Sequence, residues 1–151
     1  MTTTIAKNRS AFFEYKIEET LQAGLKLEGW EVKSLREGKA NVKEAYVFIR
    51  DGEAFISGMQ IVPLISASTH KATNPTRVRK LLLNKNEIEK MLGLVERSGY
   101  TLVPIELYWN RQFAKLKIGL GKGKKLHDKR ETKKENDWKR TQSRILKQSV
   151  S

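Results

Sequence analysis

The chain has 151 residues, a formal net charge of +13 and 38% hydrophobic residues. That leaves room for one small domain plus an extension, and the positive balance suits a polyanionic partner. There is no cysteine, which excludes disulfides, thiolate metal sites and cysteine nucleophiles, and no stretch approaches the ~20 apolar residues of a bilayer span.

Residues 1–10 are polar, without the apolar core of a signal peptide, and read as a loose leader. From Ala11 to Leu27 the apolar residues Phe13, Tyr15, Ile17, Leu21, Ala23, Leu25 and Leu27 share one parity. Period two predicts a long strand bent near Ala23-Gly24. Trp30 to Glu37 reads as a short helix ended by Gly38, with Glu31 in the first turn where the helix dipole favours it. Val42–Arg50 and Glu53–Ile61 form two strands joined at Asp51-Gly52, a strong hairpin signal. Tyr46, Phe48, Phe55 and Ile61 are their core or cross-strand candidates. A loop rich in Ser, Thr, Asn and Pro follows from Ser66 to Thr76, then the cations Arg77, Arg79 and Lys80. Asn84 or Asn86 caps a helix to Ser98, with Ile88, Met91, Leu92 and Val95 as its apolar stripe and Gly99 after its end. Tyr100–Trp109 and Phe113–Leu120 alternate again, joined through Asn110-Arg111-Gln112. Strands close in sequence with helices between them predict a mainly β body: a small closed antiparallel barrel of OB type, about six strands, with helices at its openings.

The last thirty residues differ. Lys122–Ser151 carries 11 Lys and Arg against 4 Asp and Glu, so seven of the thirteen net charges sit there. Its large apolar residues are Leu126, Trp138, Ile145, Leu146 and Val150, too few for a core. The division is therefore a barrel over residues 1–121 and a basic tail over 122–151. The glycines at 119, 121 and 123 read as a flexible joint between them. The tail is rich in helix formers and has no proline. It is expected to be disordered when free and helical on a polyanion that offsets its ordering entropy.

No catalytic constellation stands out. His70 and His127 lie in different segments without metal-ligand spacing, and the glycines near 119–123 lack the spacing of a phosphate loop. The acidic residues show no pair in an apolar setting. No metal and no cofactor are expected. What the chain does supply is phosphate-reaching cations and flat rings, the groups that hold single-stranded RNA. Lys7, Asn8 and Arg9 precede the first strand; Arg77, Arg79 and Lys80 precede the second helix; Lys115 and Lys117 share one face of the last strand, with Leu116 and Ile118 on the other. Any one of these alone is ordinary surface charge; their combination with the tail points to RNA. Tyr15, Tyr108 and Trp109 are candidate stacking rings, although strand aromatics more often pack a core.

Several blocks carry a further signal: Asn8-Arg9-Ser10-Ala11, Gln22-Ala23-Gly24, Gly29 to Arg36, Arg79 to Leu83, Gly99 to Pro104, Leu107-Tyr108-Trp109, and Gly121 to Lys125 followed by Asp128-Lys129-Arg130. In this order they resemble the small protein B (SmpB) family of SsrA-binding proteins, over nearly the whole chain. The resemblance implies an OB-like barrel with three helices and a monomeric, cytoplasmic, non-enzymatic adaptor. Its partners would be the tRNA-like domain of tmRNA and the stalled 70S ribosome, with alanyl-tmRNA and elongation factor Tu in the same complex and no membrane. It implies tmRNA contact at Gln22, Leu82 and Lys115, with Asn8, Arg9 and Tyr15 as neighbours. It places the tail in the decoding centre and the empty mRNA channel, through Gly123, Lys124, Asp128, Lys129 and Arg130. His127 would meet decoding-centre RNA, and Ile145 and Leu146 form an apolar pair further along. Two positions depart from the family pattern: Gln22 stands where Glu is common, and Ser10 where a second basic residue is usual. The rival classes are a structural ribosomal protein and an RNA-processing enzyme with a basic tail.

Overall fold

The computed structural model describes residues 2–65, 73–124 and 130. The expected loop from Ser66 to Thr76, with His70, falls mostly outside them. So do Leu126, Trp138 and Val150 and the tail residues His127, Asp128, Lys129, Ile145 and Leu146.

Among the described residues nine strands and three helices follow in chain order. They are β1 (Thr2–Lys7), α1 (Ala11–Glu14), β2 (Tyr15–Leu25), α2 (Gly29–Arg36), β3 (Ala40–Asn41), β4 (Tyr46–Arg50), β5 (Glu53–Ser57), β6 (Gln60–Ile61), β7 (Arg79–Leu82), α3 (Lys85–Ser98), β8 (Thr101–Asn110) and β9 (Phe113–Gly123). One antiparallel sheet holds seven of the strands in the order β1-β8-β9-β2-β7-β5-β4, while β3 and β6 pair separately. Its backbone is the β8–β9 hairpin. β2 lies along β9 from Tyr15 opposite Gly123 to Gly24 opposite Lys115. The expected closure is not made by hydrogen bonds: the sheet ends at β1 and β4.

The inner face of this coiled sheet holds the core. Ala23, Ala54, Ile56, Leu81, Leu107, Leu116, Ile118 and Leu120 are all buried there. α2 adds Trp30 and Leu35, and α3 inserts Met91, with Ile88, Leu94 and Val95 packed around it. The α3 start matches its sequence signal. The Asn84 side chain accepts from the Glu87 N–H at 2.9 Å and Glu87 accepts from the Asn84 N–H at 3.1 Å, a reciprocal cap. Gly99 closes it in the left-handed region at φ 68°. The Asp51-Gly52 hairpin also forms, both residues at positive φ.

Four expectations need correction. The leader is not loose: Thr2–Lys7, rich in β-branched residues, pairs with β8. The strand expected from Ala11 begins at Tyr15, because Ala11–Glu14 turns once as a helix. The two strands around the Asp51 hairpin are shorter than read. Val42–Arg50 starts only at Tyr46, and Glu53–Ile61 breaks at Gly58, whose φ of 78° and close approach to the Glu44 carbonyl suit no other residue. The glycines at 119 and 121 are not a joint. They lie within β9, where a Cβ on Gly119 would sit 2.8 Å from Ile105 Cδ1 and one on Gly121 would collide with the Lys16 carbonyl. They allow strands and side chains to approach closely, and the strand continues to Gly123.

Candidate nucleic-acid interface

Strand alternation sends every second side chain of β1, β8, β9, β2 and β7 outward, away from the core. Read across the ladder, Thr4 faces Tyr108, Tyr108 faces Lys115, Lys115 faces Gly24 and Gly24 faces Leu82. One row of the sheet thus carries Lys115 and Leu82 on either side of a glycine. A Cβ on Gly24 would lie 3.2 Å from Leu82 Cβ and 3.6 Å from Lys115 Nζ, so the two side chains lean together over it. Leu82 is 52% exposed there, an apolar group left in water by a strand whose other face is core. The next row runs Lys7, Glu106, Lys117, Gln22. Gln22, Leu82 and Lys115, far apart in sequence, therefore meet on one surface with Lys117 beside them.

The other expected contacts lie further along the same side. Asn8 follows β1. Its amide donates to the Pro104 carbonyl at 3.0 Å and its oxygen accepts from Ser10 Oγ at 3.0 Å, fixing the turn into α1. Tyr15 packs with Ile17 against Ala11, Val103 and Ile105, a small apolar cluster on the outer face. It stands opposite Gly123, and Lys124 N donates to the Glu14 carbonyl at 2.8 Å. Arg9, Lys124 and Arg130 are at the surface. Tyr15 is seven residues from Gln22 along β2, about 23 Å in an extended strand. The expected set is thus a long stripe rather than a cluster.

Two tyrosines titrate away from their ordinary range. Burial, then the Glu106 charge, pushes the Tyr108 hydroxyl up, and that hydroxyl has no hydrogen-bond partner among the described residues. The Tyr100 hydroxyl is raised by its hydrogen bond to Glu18, with smaller effects from burial and the charge of Glu19.

The cations before α3 divide. Arg79, grouped by sequence with the RNA-reaching residues, is fully buried and pairs with Glu31. Its other N–H groups donate to the carbonyls of Met59 at 2.6 Å, Pro75 at 3.1 Å and Arg77 at 3.2 Å. Arg77 also binds Glu31 and lies 3.7 Å from Glu28. Glu31, expected in the first turn as a partner of the helix dipole, is there and is 0% exposed; it accepts from the Glu28 N–H at 2.8 Å as well. Burial alone would raise its carboxyl. The Arg77 hydrogen bond, the Glu28 backbone and Arg79 outweigh that and hold it below the usual carboxylate range. Burial lowers the Arg79 guanidinium, opposed by Glu31. This cluster ties α2 to the segment entering β7. Only Lys80 of the three cations points outward with Leu82, and it pairs with Glu53 at 2.9 Å. Among the described residues no group of three or more His, Asp and Glu side chains is arranged to hold a metal, and no helix is long and apolar enough to cross a membrane.

Sequence reasoning missed the buried Glu31 pairing and the glycine notch at Gly24. The first carried a signal: Arg79 falls on the same strand parity as Leu81. The second carried none beyond an isolated strand glycine.

Comparison with known proteins finds relatives over most of the chain. A sequence model described as SmpB protein matches residues 5–148. The SsrA-binding protein of Alkalilimnicola ehrlichii is 58% identical over 146 residues, covering 97% of this chain and 91% of its own. A chain of the solved structure described as "tmRNA-SmpB: a journey to the center of the bacterial ribosome" superposes with a TM-score of 0.65 at 44% identity, over 80% of this chain and 84% of that one.

Proposed function

The chain belongs to the SmpB family, and from that footing we propose how its parts divide the work. It binds tmRNA, the SsrA RNA, and serves trans-translation on the ribosome. It acts as an RNA-binding adaptor in the bacterial cytoplasm, without catalytic turnover, and carries tmRNA to stalled ribosomes. The barrel-like body holds the tRNA-like domain on its outer face. The convergence of Gln22, Leu82 and Lys115 around Gly24 is the observation that carries this assignment. Lys115 and Lys117 supply phosphate contacts, Leu82 an apolar seat for a base or sugar, and Gln22 a donor and an acceptor. Asn8, Arg9 and Tyr15 extend the surface toward the start of the tail.

The tail takes the second surface, the decoding centre and empty mRNA channel, through Gly123, Lys124, His127, Asp128, Lys129 and Arg130. Ile145 and Leu146 anchor a helix formed there. The end of β9 at Gly123 supports a body that runs two residues beyond the boundary at 121. A basic segment with few apolar residues orders when a large polyanion offsets its conformational entropy.

The test separates the two surfaces in the full chain. Replacing Asp128, Lys129 and Arg130 with alanine should leave tmRNA affinity in gel-shift titrations within about twofold and abolish peptide tagging on stalled ribosomes. Normal tagging by this variant, or loss of its tmRNA binding, overturns the division.

A further inference from the structure

The outer face continues past β7 into a feature that lies outside both apolar clusters. The rings of Tyr46, Phe48 and Phe55 line up on β4 and β5. Phe48 and Phe55 are register partners, their centroids 5.5 Å apart and their planes 25° apart. Tyr46 and Phe48 lie 6.0 Å apart at 38°, and Tyr46 is 57% exposed. Phe55 in turn faces Lys80 across the ladder. Together with Lys26, Leu27, Glu28, Arg77, Val78 and Lys80 it lines a cleft of about 480 Å³. That size lies within the roughly 300–1,000 Å³ of small-ligand sites.

We propose that this cleft is a nucleotide subsite: one unstacked base of the bound tmRNA stacks on Phe55, and Lys80 and Lys26 hold its flanking phosphates. The inference rests on the outer face being the RNA-binding face. The chemistry fits such an occupant on three counts. An aromatic ring beside cations is the arrangement that holds unpaired bases, since every base offers a π-face and brings a phosphate with it. The charges are available. Lys26 is exposed and has no side-chain partner among the described residues. Lys80 and Glu53 form a solvated pair, with 39% and 50% of the side chains exposed, and such a pair yields readily to a phosphate. The nearby carboxylate of Glu28 is occupied, accepting from Trp30 Nε1 at 2.6 Å and facing Arg77. Finally, the cleft is continuous with the candidate interface: Lys80 is two residues from Leu82 on the same strand face, about 7 Å away.

A peptide cannot add itself as a strand along β5 at the cleft. β5 is hydrogen-bonded on both sides, to β4 and β7, so its backbone is already paired and only side-chain faces are presented.

The experiment uses the full chain and tmRNA in gel-shift titrations over a salt series. Phe55→Leu, which removes the ring, should weaken binding roughly tenfold, the loss of one stacked base, with the salt slope unchanged. Phe55→Tyr should restore it. Lys80→Ala and Lys26→Ala should each weaken binding severalfold and lower the salt slope by about one unit. Irradiation should crosslink Phe55 to a base of wild-type complex. Lys115→Ala is run alongside. If Lys115→Ala weakens binding while the Phe55, Lys80 and Lys26 variants bind as wild type, the subsite is overturned and the interface stands. If none of them weakens binding, the outer-face reading falls with it. Should Phe55→Leu fail to fold by circular dichroism, the two exposed lysines and the crosslink decide alone.

Discussion

The two faces of one sheet use positive charge in opposite ways. On the inner face Arg79 is fully buried, held by the Glu31 carboxylate and three backbone carbonyls. On the outer face Lys115 and Lys117 stand in partial contact with solvent beside Gln22 and Leu82. Arg79 and Lys80 are sequence neighbours, and one step along a strand separates a buried structural cation from an outward-facing one. Arginine suits the first role because its planar fork can satisfy a carboxylate and several carbonyls at once; lysine suits the second as a mobile point charge. A run of basic residues is therefore not a surface until the strand parity is known.

The largest expected effect breaks the inner pair. Arg79→Ala leaves Glu31 buried with Arg77 alone, and removal of one partner of a buried pair costs about 3–5 kcal/mol. Denaturant unfolding should show the unfolding free energy drop by that amount, with a lower midpoint, while tmRNA affinity of the folded fraction stays near wild type. A midpoint unchanged by the substitution would mean that the buried pairing contributes little and that the two faces do not differ as argued.

A smaller effect of the other kind is expected outside. Lys115→Ala should weaken tmRNA binding by about 1–2 kcal/mol, the scale of a charge-assisted hydrogen bond, and lower the salt slope by nearly one unit. Its melting temperature should stay within experimental scatter, since the side chain leans over Gly24 and supports no core contact. Equal affinity and slope for variant and wild type would remove Lys115 from the interface.

Much of this contrast is legible in the sequence. The alternation of Lys115 and Lys117 with Leu116 and Ile118 separates the faces of β9 correctly, and the Asn84 cap and Asp51-Gly52 hairpin are where their local chemistry puts them. These signals are local, set by the residue and its near neighbours. The failures are non-local. Thr2–Lys7 becomes a strand because the edge of β8 accepts it. Gly119 and Gly121 read as a joint because nothing nearby reveals that Ile105, Ile17 and the Lys16 carbonyl crowd them. Glu31 looks like a helix-start charge because its two arginines arrive from the far end of a long connection. The meeting of Gln22, Leu82 and Lys115 is of the same kind: three strands must be in register before it exists.

The finest distinction between the faces is their response to acid. Glu31 has its folded pKa held below the ordinary value of 4.5. A carboxyl depressed on folding releases its proton more readily in the native state, so the unfolded chain binds more protons in the acid range. The resulting stability is fully present above the unfolded value and is lost as pH falls through the lower folded one. Stability should therefore decline below about pH 4.5 with a component that Glu31→Gln removes. The variant starts from a lower plateau, because Arg79 loses its charged partner, but its curve should be flatter through that window. The component is smaller than the cost of deleting Arg79, since burial favours the neutral acid and opposes the two arginines. Urea unfolding of wild type and Glu31→Gln at intervals from neutral pH into acid measures it. Parallel curves would show that the carboxyl is not held low and that the inner charge pair is not proton-linked, whereas convergence toward low pH places the linkage at Glu31.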